Sequence, residues 1–417
     1  MKASTSVSTT FTAAHNRHQV GMLVTLAGDQ PVTRPPINVA LVLDRSGSMS
    51  GEPLAAARDA ALRFASFLTA EDRLSVIAFD DDVDLLYGPG PGNDPGAELA
   101  IRRITDQGST NLSGGWIEGH RQVSRGILQG TNRVILLTDG QANRGVVDVQ
   151  ALRRLAAGAA DNQVSTTCIG FGPGFNEDLL QAMAEGGNGR FWYVETADQM
   201  TGSFEGEIEG LVSLAAQNLS VEVTLTHPGV AGVTIVPDLP VTRTAEGGWR
   251  VKLGDLYAVQ PRSVGFIFHV ENVDQLGAIE IGSLVVRADL IRSDGVEHRT
   301  TTLPVMATLD GQDHVSAEVE SAFLRFAVAK AREEAVRQAD QGDLQRACRT
   351  LNEAAVMIPA DILDAELLES RADLLAEASR LKEEVYRPED RKYHMAASAY
   401  GRDGRHEKQK VIRRKRP

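Results

Sequence analysis

The sequence predicts an α/β protein, a doubly wound domain inserted in or next to an antiparallel β-sandwich and followed by a C-terminal helical segment. Three observations lead there. The apolar run 39–43 ends abruptly in Asp44-Arg45-Ser46-Gly47-Ser48, and a second run, 134–137, ends in Thr138-Asp139-Gly140. Such runs are strands buried on both faces, which belong to parallel sheets covered by helices. Around them, strand patterns alternate with helical periods as far as about residue 212. From 217 to 308 the period then shortens to two, the signature of a half-buried antiparallel strand.

In chain order, residues 4–29 read as a hairpin, with Val20, Met22, Val24 and Leu26 alternating with Gly21, Leu23 and Thr25, and Asn16 in the turn. Pro31, Pro35 and Pro36 interrupt the pattern before the first buried strand, 38–43. A helix over 53–68 starts with Pro53, favoured in a first turn, and carries Leu54, Ala61, Leu62, Ala65 and Leu68 on one face. Strands 73–79 and 83–87 flank Asp80-Asp81-Asp82, which reads as a charged turn. The Gly/Pro-rich 88–96 reads as a loop, and 97–105 and 114–129 as helices. The second buried strand follows, then helix 149–160, strand 166–171, helix 177–185, strand 190–194 and helix 197–216. In that last helix Gly202, Gly206 and Gly210 recur every fourth residue and so share a face. That pattern fits a close-packed face of small residues or, more sharply, a marginal helix that shifts between two packings.

Alternation in 219–225, 264–270 and 284–290, with a Ser293-Asp294-Gly295 turn signal, gives a sandwich of about seven strands. The early hairpin has no partner in the α/β pattern and is assigned to this sandwich, which makes the α/β domain an insertion. The domains are then a hairpin segment 1–36, the α/β domain 37–212, the sandwich 213–310, a helical segment 315–386 and a basic tail 387–417. Gly342-Asp343 and Pro359 punctuate the helices, which loosely resemble a single tetratricopeptide-type hairpin.

Composition limits the function classes. The chain has 417 residues and a net charge of -13, yet 387–417 holds 11 Lys/Arg against 4 Asp/Glu. An acidic body argues against nucleic-acid binding, and the basic tail reads as a solvated, disordered end. Two cysteines, Cys168 and Cys348, give neither a disulfide framework nor a thiolate metal site. No run reaches the ~20 apolar residues that span a bilayer, and the N-terminus lacks a signal-peptide core, so a cytoplasmic location is expected. Trp116, Trp192 and Trp249 read as core aromatics, and His15 and His18 as surface polar groups. The segment 170–174 lacks the Lys-Ser/Thr ending of a phosphate loop.

The first polar strand end carries chemistry. Asp44, Ser46 and Ser48, at alternate positions, can turn one carboxylate and two hydroxyls toward a point, an oxygen set suited to Mg²⁺, Ca²⁺ or Mn²⁺. The plain alternative is a loop that only hydrogen-bonds its neighbours.

At these residues the chain resembles the von Willebrand factor A (vWA) family, of the bacterial or inter-alpha-trypsin-inhibitor-like type, whose signature is a metal-ion-dependent adhesion site. The resemblance extends to Gly108-Ser109-Thr110-Asn111-Leu112, where the family places a Thr, and to Leu136-Leu137-Thr138-Asp139-Gly140, where it places an Asp. It implies a ligand set of Asp44, Ser46, Ser48, Thr110 and Asp139. Neutral hydroxyls would leave such a cation electrophilic at an open position, fit for the Asp or Glu of a partner protein. Arg45, between the ligands, is expected to point outward.

The expected function is therefore a metal-dependent protein-interaction module and not an enzyme, with the helix 197–216 as a possible relay to the sandwich. A metal-assisted hydrolase is the alternative, weakened by the lack of a nucleophile-base-orienter set. A metal-free scaffold that binds through 315–386 is a third reading. The oligomeric state is open.

Overall fold

The computed structural model describes residues 1–12, 17–29, 34–128, 130–140, 142–172, 174–258, 260–271, 277–292, 295–310, 312–382, 391–392, 394–395 and 397–398. Its chain divides into two compact units. One holds Gln30–Asn218 with Ile291–Glu297; the other holds Met1–Asp29, Leu219–Leu290 and the chain from His298 through the terminal helices.

The first unit is built on strands β3 (Ile37–Asp44), β4 (Arg73–Phe79), β5 (Val83–Pro91), β6 (Thr131–Thr138), β7 (Ser165–Phe171) and β8 (Asn188–Val194), numbered after the hairpin strands β1 (Lys2–Thr12) and β2 (Arg17–Ala27). The sheet order is β5-β4-β3-β6-β7-β8. All pairs are parallel except β4 with β5. Every residue of β3 and β6 is buried, because helices cover both faces. On one side lie α1 (Glu52–Ser66), α2 (Pro95–Arg102) and α6 (Ala197–Val212), whose Ala57, Ala61, Phe64, Ile101, Phe204 and Leu211 pack on Leu41 and Leu43. On the other lie α3 (Leu112–Ser124), α4 (Val149–Asp161) and α5 (Glu177–Gly186), packed on Val42 and Leu136. The chain leaves β3 toward β4 and returns on the opposite side as β6. Such a reversal opens a crevice at the carboxyl ends of the two central strands.

The doubly wound fold is the predicted one, with local differences. β5 runs on to Pro91 where a loop is expected; it is an edge strand, where a sheet tolerates proline. α6 stops at Val212, because Leu214, Ala215 and Ala216 already belong to the long strand β9 (Leu214–Leu225). The glycines of α6 do not form one packed face. Gly202 meets open space, while a Cβ on Gly210 would lie 2.6 Å from the Arg190 guanidinium.

The second unit is a two-sheet sandwich with helices. Its strands after β9 are β10 (Val230–Val236), β11 (Val241–Arg243), β12 (Trp249–Tyr257), β13 (Arg262–Glu271), β14 (Gly277–Arg292) and β15 (Gly295–Leu309). One sheet runs β1-β2-β13-β10 and the other β11-β12-β9-β14-β15. The N-terminal hairpin thus enters the sandwich by pairing β2 with β13, Val24 opposite Val264 and Val20 opposite Phe268. The Asn16 turn, His15, Pro31 and the Ser293-Asp294 half of the predicted turn lie outside the described residues. His18, expected at the surface, is buried on β2.

Helices α7 (Ala317–Asp340), α8 (Leu344–Met357) and α9 (Ala365–Lys382) complete the unit. α7 lies on the outer face of the first sheet: the Phe323 ring needs the room left by Gly21 and Gly265, where a Cβ would stand 3.1 Å and 2.3 Å from it. At the α7–α8 turn Gly342 supplies a φ of +82° and the Asp343 side chain caps the Arg346 N–H. Of the basic tail, the described residues are helical, with Lys392, Ala397 and Ser398 buried and Arg391 paired with Asp340. That part is not the solvated end composition suggests; the remainder lies outside the described residues.

Candidate metal centre

Asp44 is the last residue of β3, fully buried, with its carboxylate held from both sides. Oδ1 accepts the Ser46 backbone N–H at 2.8 Å, and Oδ2 accepts the Thr138 hydroxyl at the end of β6. Ser46 Oγ lies 3.2 Å from Ser48 Oγ, and Ser48 Oγ donates to Asp139 Oδ1 at 2.7 Å. Thr110 is buried in the loop before α3. A Cβ on Gly140 would lie 3.0 Å from Thr110 Oγ1 and 3.8 Å from Asp44 Oδ2, so a bare backbone faces both oxygens. All five residues named from sequence therefore meet at the crevice. Ser48 is exposed, Asp139 half-buried and the other three buried, which gives the cluster an open side.

Backbone hydrogen bonds lock the three loops together. Gly47 N–H donates to Gly108 O at 3.1 Å, Gln107 N–H to Arg45 O at 2.8 Å, Asn111 N–H to Asp80 O at 2.8 Å and Asn143 N–H to Thr110 O at 3.3 Å. The Asn143 side chain in turn accepts the Thr110 N–H at 3.2 Å. Oxygen positions fixed this way cost little to order when a ligand arrives.

Arg45 does not point outward. It is 6% exposed, with Nε on Asp80 at 2.9 Å and Nη2 on Asp84 at 2.6 Å. The charged stretch around the β4–β5 turn is thus more than a solvated run: Asp80 of the turn and Asp84 of β5 draw the guanidinium off the crevice, while Asp81 pairs with Arg144 at 3.0 Å. Of the three tryptophans, Trp116 is buried and bonds Thr166, and Trp192 packs partly buried against the core beside Glu207; Trp249, half-buried under Arg243, departs from the expectation of a core aromatic.

The consequence is electrostatic. Burial pushes the Asp44 carboxyl up to about 6, hydrogen bonds from Ser46 and Thr138 offset this in part, and the neighbouring Asp139 charge adds to the rise. Burial also raises Asp139. No basic side chain is among the groups acting on Asp44, since Arg45 is committed elsewhere. Among the described residues no three His, Cys, Asp or Glu side chains form a cage; this donor set is two carboxylates and three hydroxyls. Two repelling carboxylates among hydroxyls fit a hard divalent cation and suit zinc poorly.

Thr138 is the residue that sequence reasoning passed over. Its hydroxyl donates to Asp44 and accepts the Gly140 N–H at 3.1 Å, tying the two acidic strand ends together. The available signal was its place at the last position of a buried strand beside Asp139. Thr138→Val keeps the shape and removes both bonds. It is expected to weaken Mg²⁺ affinity about tenfold, as outer-shell losses do, read by isothermal titration.

Comparison with known proteins bears on the fold that carries these residues. The family model of the von Willebrand factor type A domain matches residues 38–206. An "uncharacterized protein" of Synechocystis sp. is 28% identical over 355 residues, covering 82% of this chain and 83% of its own. Inter-alpha-trypsin inhibitor heavy chain H3 of Homo sapiens is 31% identical over 199 residues, 44% of this chain and 22% of that protein. The chain thus spans only about a fifth of that relative's length. Among solved structures, a von Willebrand factor type A protein from Catenulispora acidiphila has a TM-score of 0.71 at 14% identity over 96% of both chains. The ArnB paralog VWA2 from Sulfolobus acidocaldarius has a TM-score of 0.61 at 17% identity over 95% of this chain and 97% of its own. At such identities these two structures speak to the fold alone.

Proposed function

Since the chain carries a von Willebrand factor type A domain, a kind of domain that generally mediates protein–protein interaction, often with a metal, we propose that it captures an Asp or Glu of a protein partner through a divalent cation. Ser46, Ser48 and Thr110 hydroxyls would hold the ion, with Asp44 and Asp139 supplying its countercharge. The observation that carries this reading is the buried Asp44 carboxylate, which lacks a basic neighbour because Asp80 and Asp84 hold Arg45 away. A bound Mg²⁺, Ca²⁺ or Mn²⁺ supplies one open position for an incoming carboxylate. The chain's own part is to fix the oxygens and leave Ser48 at the mouth.

Binding fits these residues better than turnover, since the Ser46 and Ser48 hydroxyls are engaged with each other and with Asp139. No helix among the described residues is long and apolar enough to cross a membrane.

The experiment is retention of native-lysate proteins on the immobilised full chain, with Mg²⁺ and then with EDTA, repeated for Asp44→Ala. The expected result is a partner retained only by the wild type with Mg²⁺. A partner retained equally in EDTA and by Asp44→Ala overturns the proposal and moves attention to the helical segment.

A further inference from the structure

The second unit has an open strand edge beside an apolar cleft. β10 ends its sheet, pairing with β13 on one side only. Among the described residues, no backbone hydrogen bond joins 231–236 to anything except β13. Edge strands ordinarily carry a charge or a proline that discourages pairing. β15, an edge of the other sheet, has Glu297, Arg299 and Pro304; β10 reads Val-Ala-Gly-Val-Thr-Ile-Val, with neither, and its one register shift lies between Val230 and Gly232, which leaves 232–236 paired in unbroken register. Ala231 and Thr234 are exposed.

The cleft lies on one face of that edge. Register sets Val233 opposite Phe268 and Ile235 opposite Phe266, and the two phenylalanines are fully buried in the sandwich core. Thr234 and Val236 therefore face the other way, with Gly265 and Ile267, toward α7. There a cleft of about 460 Å³ opens between β10 and α7, floored by Val236, Ile267, Phe323, Phe326 and Ala327. Lys330, Glu333 and Asp238 stand at its lining as charges of both signs.

We propose that β10 and this cleft form a second binding site, which takes an extended peptide segment as an added strand. The segment's backbone bonds the free edge of β10, and a large apolar side chain on its α7 face enters the cleft. Strand addition draws affinity from main-chain bonds and specificity from pockets for alternate side chains, and both parts are present here. The mixed charges at the lining suit a segment without strong net charge. A second copy of this chain is a poorer occupant. Its own β10 would present Gly232, Thr234 and Val236 on that face, side chains too small to fill 460 Å³.

The test is selection of short random peptides displayed on phage against the full chain in EDTA, which removes any contribution of the metal centre. Enrichment of uncharged sequences with large apolar residues at alternate positions is expected. The best synthetic peptide should lose about tenfold or more in affinity when its edge-facing amides are N-methylated. A similar loss is expected with Ala327→Phe, which fills the cleft, in a protein whose melting point stays near that of the wild type. Three results overturn the proposal: no enrichment above background, equal binding of the N-methylated peptide, or a dimer in sedimentation whose formation Ala327→Phe abolishes.

Discussion

Glu207→Leu is expected to lower the stability of the α/β unit by about 3–5 kcal/mol, the usual cost of stranding one member of a buried ion pair. Glu207 lies on α6, and its carboxylate meets Arg133 Nη1 of β6 at 2.6 Å with both side chains fully buried. Thr167 donates to the same oxygen at 2.7 Å and Trp192 Nε1 to the other at 3.2 Å. Burial alone would raise this carboxyl, but the guanidinium groups of Arg133 and Arg190 and the hydrogen bonds hold it below the ordinary range. Arg190 also donates to Gly206 O at 3.0 Å and covers Gly210, so α6 is tied down along much of its length. Because the folded value is depressed, this stabilisation is present above the unfolded pKa and is lost as pH falls through the folded one. The double variant Arg133→Met/Glu207→Leu removes both members of the buried pair while Arg190 keeps its bond to Gly206 O, and it should recover part of the loss in urea denaturation. If both single variants melt like the wild type, the network does not anchor the helix.

The second large effect concerns Asp44. Asp44→Asn is expected to stabilise the metal-free protein at pH 7 while removing its response to Mg²⁺. The sign follows from the raised carboxyl, about 6 in the fold against 3.8 unfolded. Across that window the fold binds more protons than the unfolded chain, so stability falls as pH rises from about 4 to 6 and then levels. A shift of that size corresponds to about 3 kcal/mol, a penalty that asparagine does not incur, offset in part because its one carbonyl oxygen accepts from the Ser46 N–H or the Thr138 hydroxyl and not from both. Urea denaturation of both proteins in EDTA, from pH 4 to 7.5, should give curves that diverge as pH rises. Added Mg²⁺ at pH 7 should raise the stability of the wild type and leave the Asp44→Asn variant unmoved. Parallel pH profiles would mean that Asp44 is not held as a strained anion.

Much of the candidate site was legible because its residues sit in short, contiguous signals. Asp44, Ser46 and Ser48 follow one apolar run, Asp139 ends another, and both strands are buried on two faces. What was not legible depends on distant pairs. The inward turn of Arg45 requires Asp80 and Asp84, whose places are set only when β4 and β5 pair beside β3. Nothing within α6 announces that Glu207 meets Arg133, 74 residues earlier. The glycine spacing in the same helix suggested one uniform face, yet Gly202 is open and Gly210 is covered by an arginine from β8. The end of α6 was misplaced because Leu214, Ala215 and Ala216 are apolar and suit a helix as well as a buried strand; pairing within the sheet decides. β5 ran past its expected end for a similar reason, since the tolerance of an edge for proline is a property of the assembled sheet.

The central claim is that three strand-end loops make one site for a divalent cation. Electron paramagnetic resonance of Mn²⁺ titrated into the full chain tests it most directly. One bound ion per chain is predicted, displaced by Mg²⁺ and absent in Asp44→Asn and Thr110→Ala. A free-ion spectrum at every protein concentration, or bound Mn²⁺ that survives both substitutions, would contradict it.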